Sequence, residues 1–455
     1  MKRRSFTKAI GALAATSIGG APLVLLGGCG GGSGGDDAGQ VPGTPADGKI
    51  PFDAKETLDS LRAKIQHNGY RFTVDTNWVY DLYGYPGTPQ QPVEYDTSLG
   101  TARFPHSDDL LGMASGTLPP ACDARSRGGH SYIGPIQNQA ESNSCWAFAS
   151  ADAASVAHNL RNGLVDEHCV ILSPMYVRYI LKSGSDANLG AFYGLTKGGN
   201  PAVPPTGREG ACQTIDFPIA SFGQFSPDPP QQAIDRAIAA PRIYLKRCGR
   251  VYPRDYRETT AQIKAAILKY GAVAAAIAHN AAFKAYRSGV YEDTVTDFNR
   301  EPYYLSETAH LISLIGWDDH PPEGGGGCWI LRNSWGTSWG EDGYMRIRYF
   351  SARSNCSAQF IEGRAPGDGD LAITGSITVG GEGGTATEHV TLTLTGADHF
   401  AVNPVSGVYA FQALDPGAYR VTPSLSGVTF TPPYQDLTLA DRNIGKIDFT
   451  GRKNA

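Results

Sequence analysis

Between Ala365 and Asp370 the chain reads APGDGD, and the sequence obeys different periodicities on its two sides. After the break come VTLTLTG, GVYAFQAL, GAYRVTPSL, VTFTPP, QDLTLA and KIDFTG, with apolar and polar residues alternating. Alternation of period two fits strands with one buried face, and short strands about every ten residues between Gly, Pro and Asp point to a small antiparallel β-sandwich. That module spans 371–452, with 363–370 as its linker. It contains no cysteine and only two histidines, His389 and His399, so it is a poor place for chemistry. Residues 118–362 instead mix periods: TTAQIKAAILKYG fits a helix opening at a Thr cap and closing at Gly271, while AVAAAIA and HLISLIGW fit buried strands. The fold class is therefore α+β followed by all-β, and 455 residues suffice for two or three cores.

The first 29 residues read as an export signal. RRSFTK is a twin-arginine pattern, a modestly apolar stretch follows, and LGGC places small residues before Cys29 as in a bacterial lipobox. A membrane-spanning anchor is the rival reading, since about 18 apolar residues is borderline for a span. The expectation is an exported lipoprotein, held to a membrane through Cys29, in the periplasm or at the cell surface. Losing the four basic residues of the leader takes the net charge from −5 to −9, which is no footprint for nucleic acid. Residues 30–50 form a Gly- and Pro-rich tether. Its GGSGG matches G-x-S-x-G only formally, because no strand or helix flanks it. DAKETLDSLRAKIQ then places Leu58, Leu61 and Ile65 on one helical stripe.

Candidate chemistry centres on SNSCWAFASADAASVAHNLRNG. Ser142, Asn143 or Ser144 can cap an Ala-rich helix that ends at Gly163, which puts Cys145 in the first turn, where unpaired N–H groups favour a thiolate. His310 opens one apolar strand, and Asn333 ends another beyond the loop DDHPPEGGGG. Pairing of those strands would set an imidazole beside an amide able to fix its tautomer. Gln139 could aim its side-chain amide at an oxyanion, joined by the Cys145 N–H. Taken singly, Cys145 reads as a small core hydrophobe and His310 as a packed core histidine; it is the set that carries the argument. No clustered ligand set such as C-x-x-C exists, so neither metal nor cofactor is expected. In an exported chain Cys122, Cys169, Cys212, Cys248, Cys328 and Cys356 could form three disulfides, of connectivity left open.

NQAESNSCWAF, AHLISLIGW and LRNSWGTSWGEDGYMRI together resemble the signature blocks of papain-like cysteine peptidases over about 118–360. The resemblance implies a two-lobed fold, with a helical left lobe and an antiparallel β right lobe. It implies Cys145 as nucleophile, His310 as general base and acid, Asn333 as its orienter, Gln139 as oxyanion donor and Trp335 as a shield for the His–Asn pair. LRAKIQHNGYRFTV looks like the propeptide of bacterial members, so 51–117 would make the chain a zymogen. Gly198 and Gly199 would be remnants of a cleft-wall block, and Ala276 and Ala309 would line an open pocket for substrate. Ser142 and Asn143 stand where the family has cysteine and glycine, so a familiar disulfide is absent, and Cys145 and His310 lie an unusually long 165 residues apart. The expected activity is hydrolysis of polypeptides through a thioester acyl-enzyme. The alternatives are an idle adhesion or scaffold protein, or an acyl transferase using the same thioester. The C-terminal module resembles prealbumin-like and carboxypeptidase-regulatory-like domains of secreted proteins, which implies docking or spacing, with a cell-surface ligand as a possible partner.

Overall fold

Leu61 and Ile65 are buried on helix α1 (Leu58–Asn68), as the helical stripe requires. Thr57 caps its start by accepting from the Ser60 N–H, and Gly69 closes it in the left-handed conformation at φ 69°. The structure, a computed structural model, describes residues 48–88, 116–142, 144–181, 189–197, 206–218, 229–251, 260–293, 309–355, 358–380, 387–404 and 407–454. After α1 the chain forms β1 (Arg71–Val74) and α2 (Trp78–Tyr83), the latter capped by the Asn77 side chain.

Two elements position the candidate chemistry. Helix α3 (Cys145–Asn162) is buried along nearly its whole length, which its small residues permit; a helix apolar on every side belongs inside a core. Strand β6 (Ala309–Asp318) has neighbours on both edges. It pairs antiparallel with β4 (Val273–Ala278) and β7 (Cys328–Arg332), and β2 (Ala121–Asp123) adds to it farther along. Apart from His310 and Ser313 its residues up to Trp317 are apolar or glycine, as a strand buried on both faces needs. Among the described residues the sheet has nine strands, eight in the order β1-β5-β8-β7-β6-β4-β9-β3 and β2 off this path on β6, using β3 (Arg247–Arg250), β5 (Tyr286–Tyr291), β8 (Tyr344–Arg348) and β9 (Gln359–Glu362). The right lobe is thus the β lobe, and α3 with the helical turns after it builds the left lobe.

Residues 48–88 are part of this architecture. Strand β1 pairs antiparallel with β5 at the sheet edge, and Phe72, Val79, Tyr80 and Tyr83 are buried in the same core as Phe283 and Tyr286. Beyond residue 370 two four-stranded sheets of alternating strands form the expected sandwich. The strands are β10 (Leu371–Val379), β11 (Thr391–Gly396), β12 (Phe400–Val402), β13 (Val408–Leu414), β14 (Gly417–Ser424), β15 (Val428–Thr431), β16 (Gln435–Leu439) and β17 (Phe449–Lys453). Their orders are β13-β10-β17-β15 and β12-β11-β14-β16.

The segment between the two domains is folded against α3. A Cβ on Gly363 would lie 2.1 Å from the Ala157 carbonyl oxygen, so only glycine fits there. Arg161 pairs with Asp368 at 2.6 Å, and Asn162 donates to the Arg364 carbonyl at 2.8 Å. On the same side Arg247, 9% exposed, joins Glu362 to Asp398 of the sandwich and lies over the Phe400 ring. The cysteine count suggested disulfides; Cys122, Cys169, Cys212, Cys248 and Cys328 are all free thiols. Cys122 and Cys328 flank β6 opposite Trp317 and Asp318 respectively. Successive positions face opposite sides of a sheet, so these two sulfurs cannot meet.

Candidate active site

Cys145 starts α3 and is 8% exposed. The helix lies along β6, where the Ser313 hydroxyl donates to the Ala149 carbonyl at 3.1 Å. His310 stands near the start of β6 and Asn333 just past the end of β7, and the pairing of these strands brings them together as expected. His310 Nε2 donates to Asn333 Oδ1 at 2.8 Å, and that oxygen also accepts the Ser334 N–H at 2.8 Å. The bond fixes the tautomer and leaves Nδ1 as the basic nitrogen. Trp335 stacks on the imidazole, centroids 4.5 Å apart and planes at 21°. His310 and Asn333 are each 1% exposed, so this bond is kept from water.

Gln139 is also buried, and its amide oxygen accepts from the Ser334 hydroxyl at 2.6 Å. With the oxygen engaged there, the amide NH2 is the end left to face an oxyanion. Ser334 is a residue the sequence reading passed over, although it sits directly beside Asn333. Of the cap candidates, Asn143 lies outside the described residues, and Ser144 precedes the helix but makes no capping bond. Its hydroxyl donates to the Ser142 carbonyl at 3.0 Å and accepts from the Arg178 guanidinium. Ala276 is buried in β4, and Ala309 opens β6 opposite Ala278. Gly198, Gly199 and Cys29 lie outside the described residues. Among the described residues no cluster of His, Cys, Asp and Glu could hold a metal ion, and no helix is long and apolar enough to cross a membrane.

The electrostatics come from burial and one lysine. Burial pushes the His310 imidazole down to about 4; the Asn333 bond opposes this, and the charge of Lys284 adds to it. His279, one residue beyond β4, lies 5.9 Å from His310 between ring centroids and is likewise held well below its ordinary value, by burial and then by Lys284. Lys284 is 4% exposed and lowered to about 8, by burial first and then by Lys55. Its ammonium donates to the Tyr83 carbonyl at 3.2 Å and the Ala54 carbonyl at 3.4 Å. Neither His279 nor Lys284 carries a signal in sequence, because only the fold sets them beside His310.

A stability prediction follows from these imidazoles. Buried neutral histidines contribute stability that is present above the unfolded value of about 6.5 and is lost as pH falls toward the folded value near 4. The melting temperature of the full chain should therefore drop between pH 6.5 and 4, and drop less in His310→Leu. Equal acid sensitivity in both proteins would remove His310 from that account.

A two-lobed fold with a buried thiol at a helix start, and an amide-held imidazole on the neighbouring sheet, defines a class: the cysteine hydrolases. Residues 118–175 and 244–361 match the papain family cysteine protease model, so the chain carries a papain-family cysteine protease domain and is a cysteine endopeptidase. It is 26% identical over 267 residues to cathepsin B-like cysteine proteinase 4 of Caenorhabditis elegans, covering 53% of this chain and 75% of that one. It is also 26% identical over 293 residues to cathepsin S of Rattus norvegicus, covering 63% and 75%. Procathepsin B S9 of Trypanosoma congolense superposes with a TM-score of 0.51 at 16% identity, over 68% of this chain and 99% of that one, a likeness of fold.

Proposed function

We propose that the chain hydrolyses polypeptides through Cys145, His310 and Asn333. The observation that carries this is the 2.8 Å His310–Asn333 bond under Trp335, on the strand that α3 lies against. His310 Nδ1 takes the thiol proton, and the sulfur attacks the peptide carbonyl. The oxyanion is met by the Gln139 amide and the Cys145 N–H. The imidazolium then gives its proton to the leaving amine, and a water activated by the same nitrogen releases the thioester. A thiol-alkylating epoxide tests this. Adducts should concentrate on Cys145; labelling spread over all cysteines, with no peptide cleaved, would reject it.

The segment 51–117 is read as an inhibitory propeptide. Trp78 Nε1 donates to the Trp335 carbonyl at 2.9 Å, β1 completes the sheet edge, and backbone carbonyls of Ala54 and Tyr83 cap Lys284. Trimming the segment should raise peptidase activity at least tenfold, measured on the full chain before and after cleavage near Leu118. Equal activity of the two forms would end the zymogen reading. Export with lipidation at Cys29 is the companion proposal, motivated by LGGC after a twin-arginine leader. Metabolic fatty-acid label should enter the chain and be absent from Cys29→Ala; label retained in that variant would sink it. The C-terminal sandwich, clamped through Arg247 and reached by a linker that Arg161 holds, is read as a docking module for a cell-surface ligand. Pull-down on whole cells by wild type but not by a chain ending at Gly369 would support it, and equal binding would reject it.

A further inference from the structure

We infer that Arg178, in the left lobe, is a positioning residue for the nucleophile, holding the loop before Cys145 and supplying the positive charge beside it. This rests on the proposed role of Cys145. The residue lies in a single π-helical turn, Val177–Leu181, a rare geometry that inserts an extra residue and re-aims a side chain. Its Nη1 donates both to the Ser142 carbonyl and to the Ser144 hydroxyl, the residue directly before Cys145. Ser142 in turn donates from its hydroxyl to the Gln139 carbonyl at 2.5 Å, and its N–H reaches the same oxygen at 3.2 Å. One guanidinium therefore holds Ser142, which is tied back to the proposed oxyanion residue Gln139, and Ser144, which directly precedes the proposed nucleophile.

The loop needs such an anchor. Ala140 within it adopts φ 49°, a left-handed conformation that costs a non-glycine residue energy and persists only where surrounding bonds enforce it. The sequence offers no covalent substitute, because Ser142 stands where the related signature has cysteine. Charge is the second contribution. A cation at the start of α3 adds to the unpaired N–H groups of the first turn, and both favour a thiolate. Among the described residues, the loop itself carries one carboxylate, Glu141, which is exposed, and His310 stands on β6. On α3 itself Asp152 is two turns on and tied to Arg332 at 3.1 Å. Among the described residues the guanidinium bonds the Ser142 carbonyl and the Ser144 hydroxyl and pairs with no carboxylate.

The guanidinium fork and its charge can be separated. Arg178→Ala removes both, whereas Arg178→Lys keeps a cation but loses the planar double donor. The full chain, trimmed near Leu118, is assayed for alkylation rate at Cys145 against pH and for kcat and KM on one peptide. In Arg178→Ala the acid limb of alkylation should move up by about one pH unit, the rate at pH 5 should fall about tenfold, and kcat should fall more than KM changes. In Arg178→Lys the limb should return toward wild type while kcat stays low. An unchanged limb and kcat in Arg178→Ala, even with a lower melting temperature, would reduce Arg178 to a structural residue and overturn the inference. If Arg178→Ala does not fold, Arg178→Gln, which keeps a donor without charge, takes its place under the same criteria. If Cys145 in wild type labels no faster than the other cysteines, the reaction itself is rejected rather than the role of Arg178.

Discussion

Serine in place of Cys145 should lower peptide hydrolysis by about four orders of magnitude or more, with the fold and melting temperature preserved. The exchange removes one sulfur and adds one oxygen of similar shape, so α3 has no reason to repack. Chemistry changes far more. A serine hydroxyl is much less acidic than a thiol, so the unpaired N–H groups at the start of α3 that favour a thiolate leave the alcohol protonated and a poor nucleophile. Removing a nucleophile from a set that acts together typically costs as much as removing the whole set. Residual turnover would reflect only the oxyanion donors and binding. Steady-state hydrolysis by the trimmed chain is the measurement, with circular dichroism as the check on folding. If Cys145→Ser kept more than a hundredth of the wild-type rate, the nucleophile would have to be sought elsewhere.

How much of this could be read from residues alone depends on the range of the interactions. His310 and Asn333 were legible because each sits at the end of an apolar run, and the Gly-rich loop between those runs permits pairing. Period-two alternation gave away the sandwich for the same local reason. Strand β1 was not legible: its partner β5 lies more than 200 residues later, and four residues of alternation are too few to stand out. APGDGD looked like a plain linker because Gly and Pro favour turns, yet a Cβ on Gly369 within it would lie 2.0 Å from the Leu414 carbonyl oxygen, so packing is itself a reason for glycine. The cysteines misled by number. Cys212 and Cys328 are buried thiols pushed up to about 12 by burial first, which leaves them inert rather than paired. Arg178 and Lys284 were invisible because a basic residue in an amphipathic stretch reads as solvated surface until its acceptors are seen.

Behind the site one buried ion pair has the largest expected effect on stability. Arg332 on β7 is 2% exposed and immediately precedes Asn333. Its Nε reaches Asp152 of α3 at 3.1 Å, and its two terminal nitrogens donate to the carbonyls of Gly134 and Pro135 at 2.7 and 2.8 Å. It therefore joins α3, which begins at Cys145, the strand that leads into Asn333 and the segment leading to Gln139. Arg332→Met has similar volume but leaves the Asp152 carboxylate buried without a partner, which should cost about 3–5 kcal/mol at neutral pH. Burial already raises the Asp152 carboxyl, and Arg332 is what holds it down; without the arginine it rises further. A raised carboxyl favours the protonated folded state, so the penalty should be smallest below the unfolded value of about 3.9 and grow as pH rises from there toward the folded value. Urea unfolding at pH 4 and pH 7.5 measures this, with Arg332→Met/Asp152→Leu as the partner variant. That double change removes both charges and should recover much of the loss. A single variant within about 1 kcal/mol of wild type at pH 7.5, or one that gains stability as pH rises, would mean that the pair does not hold the two lobes in register.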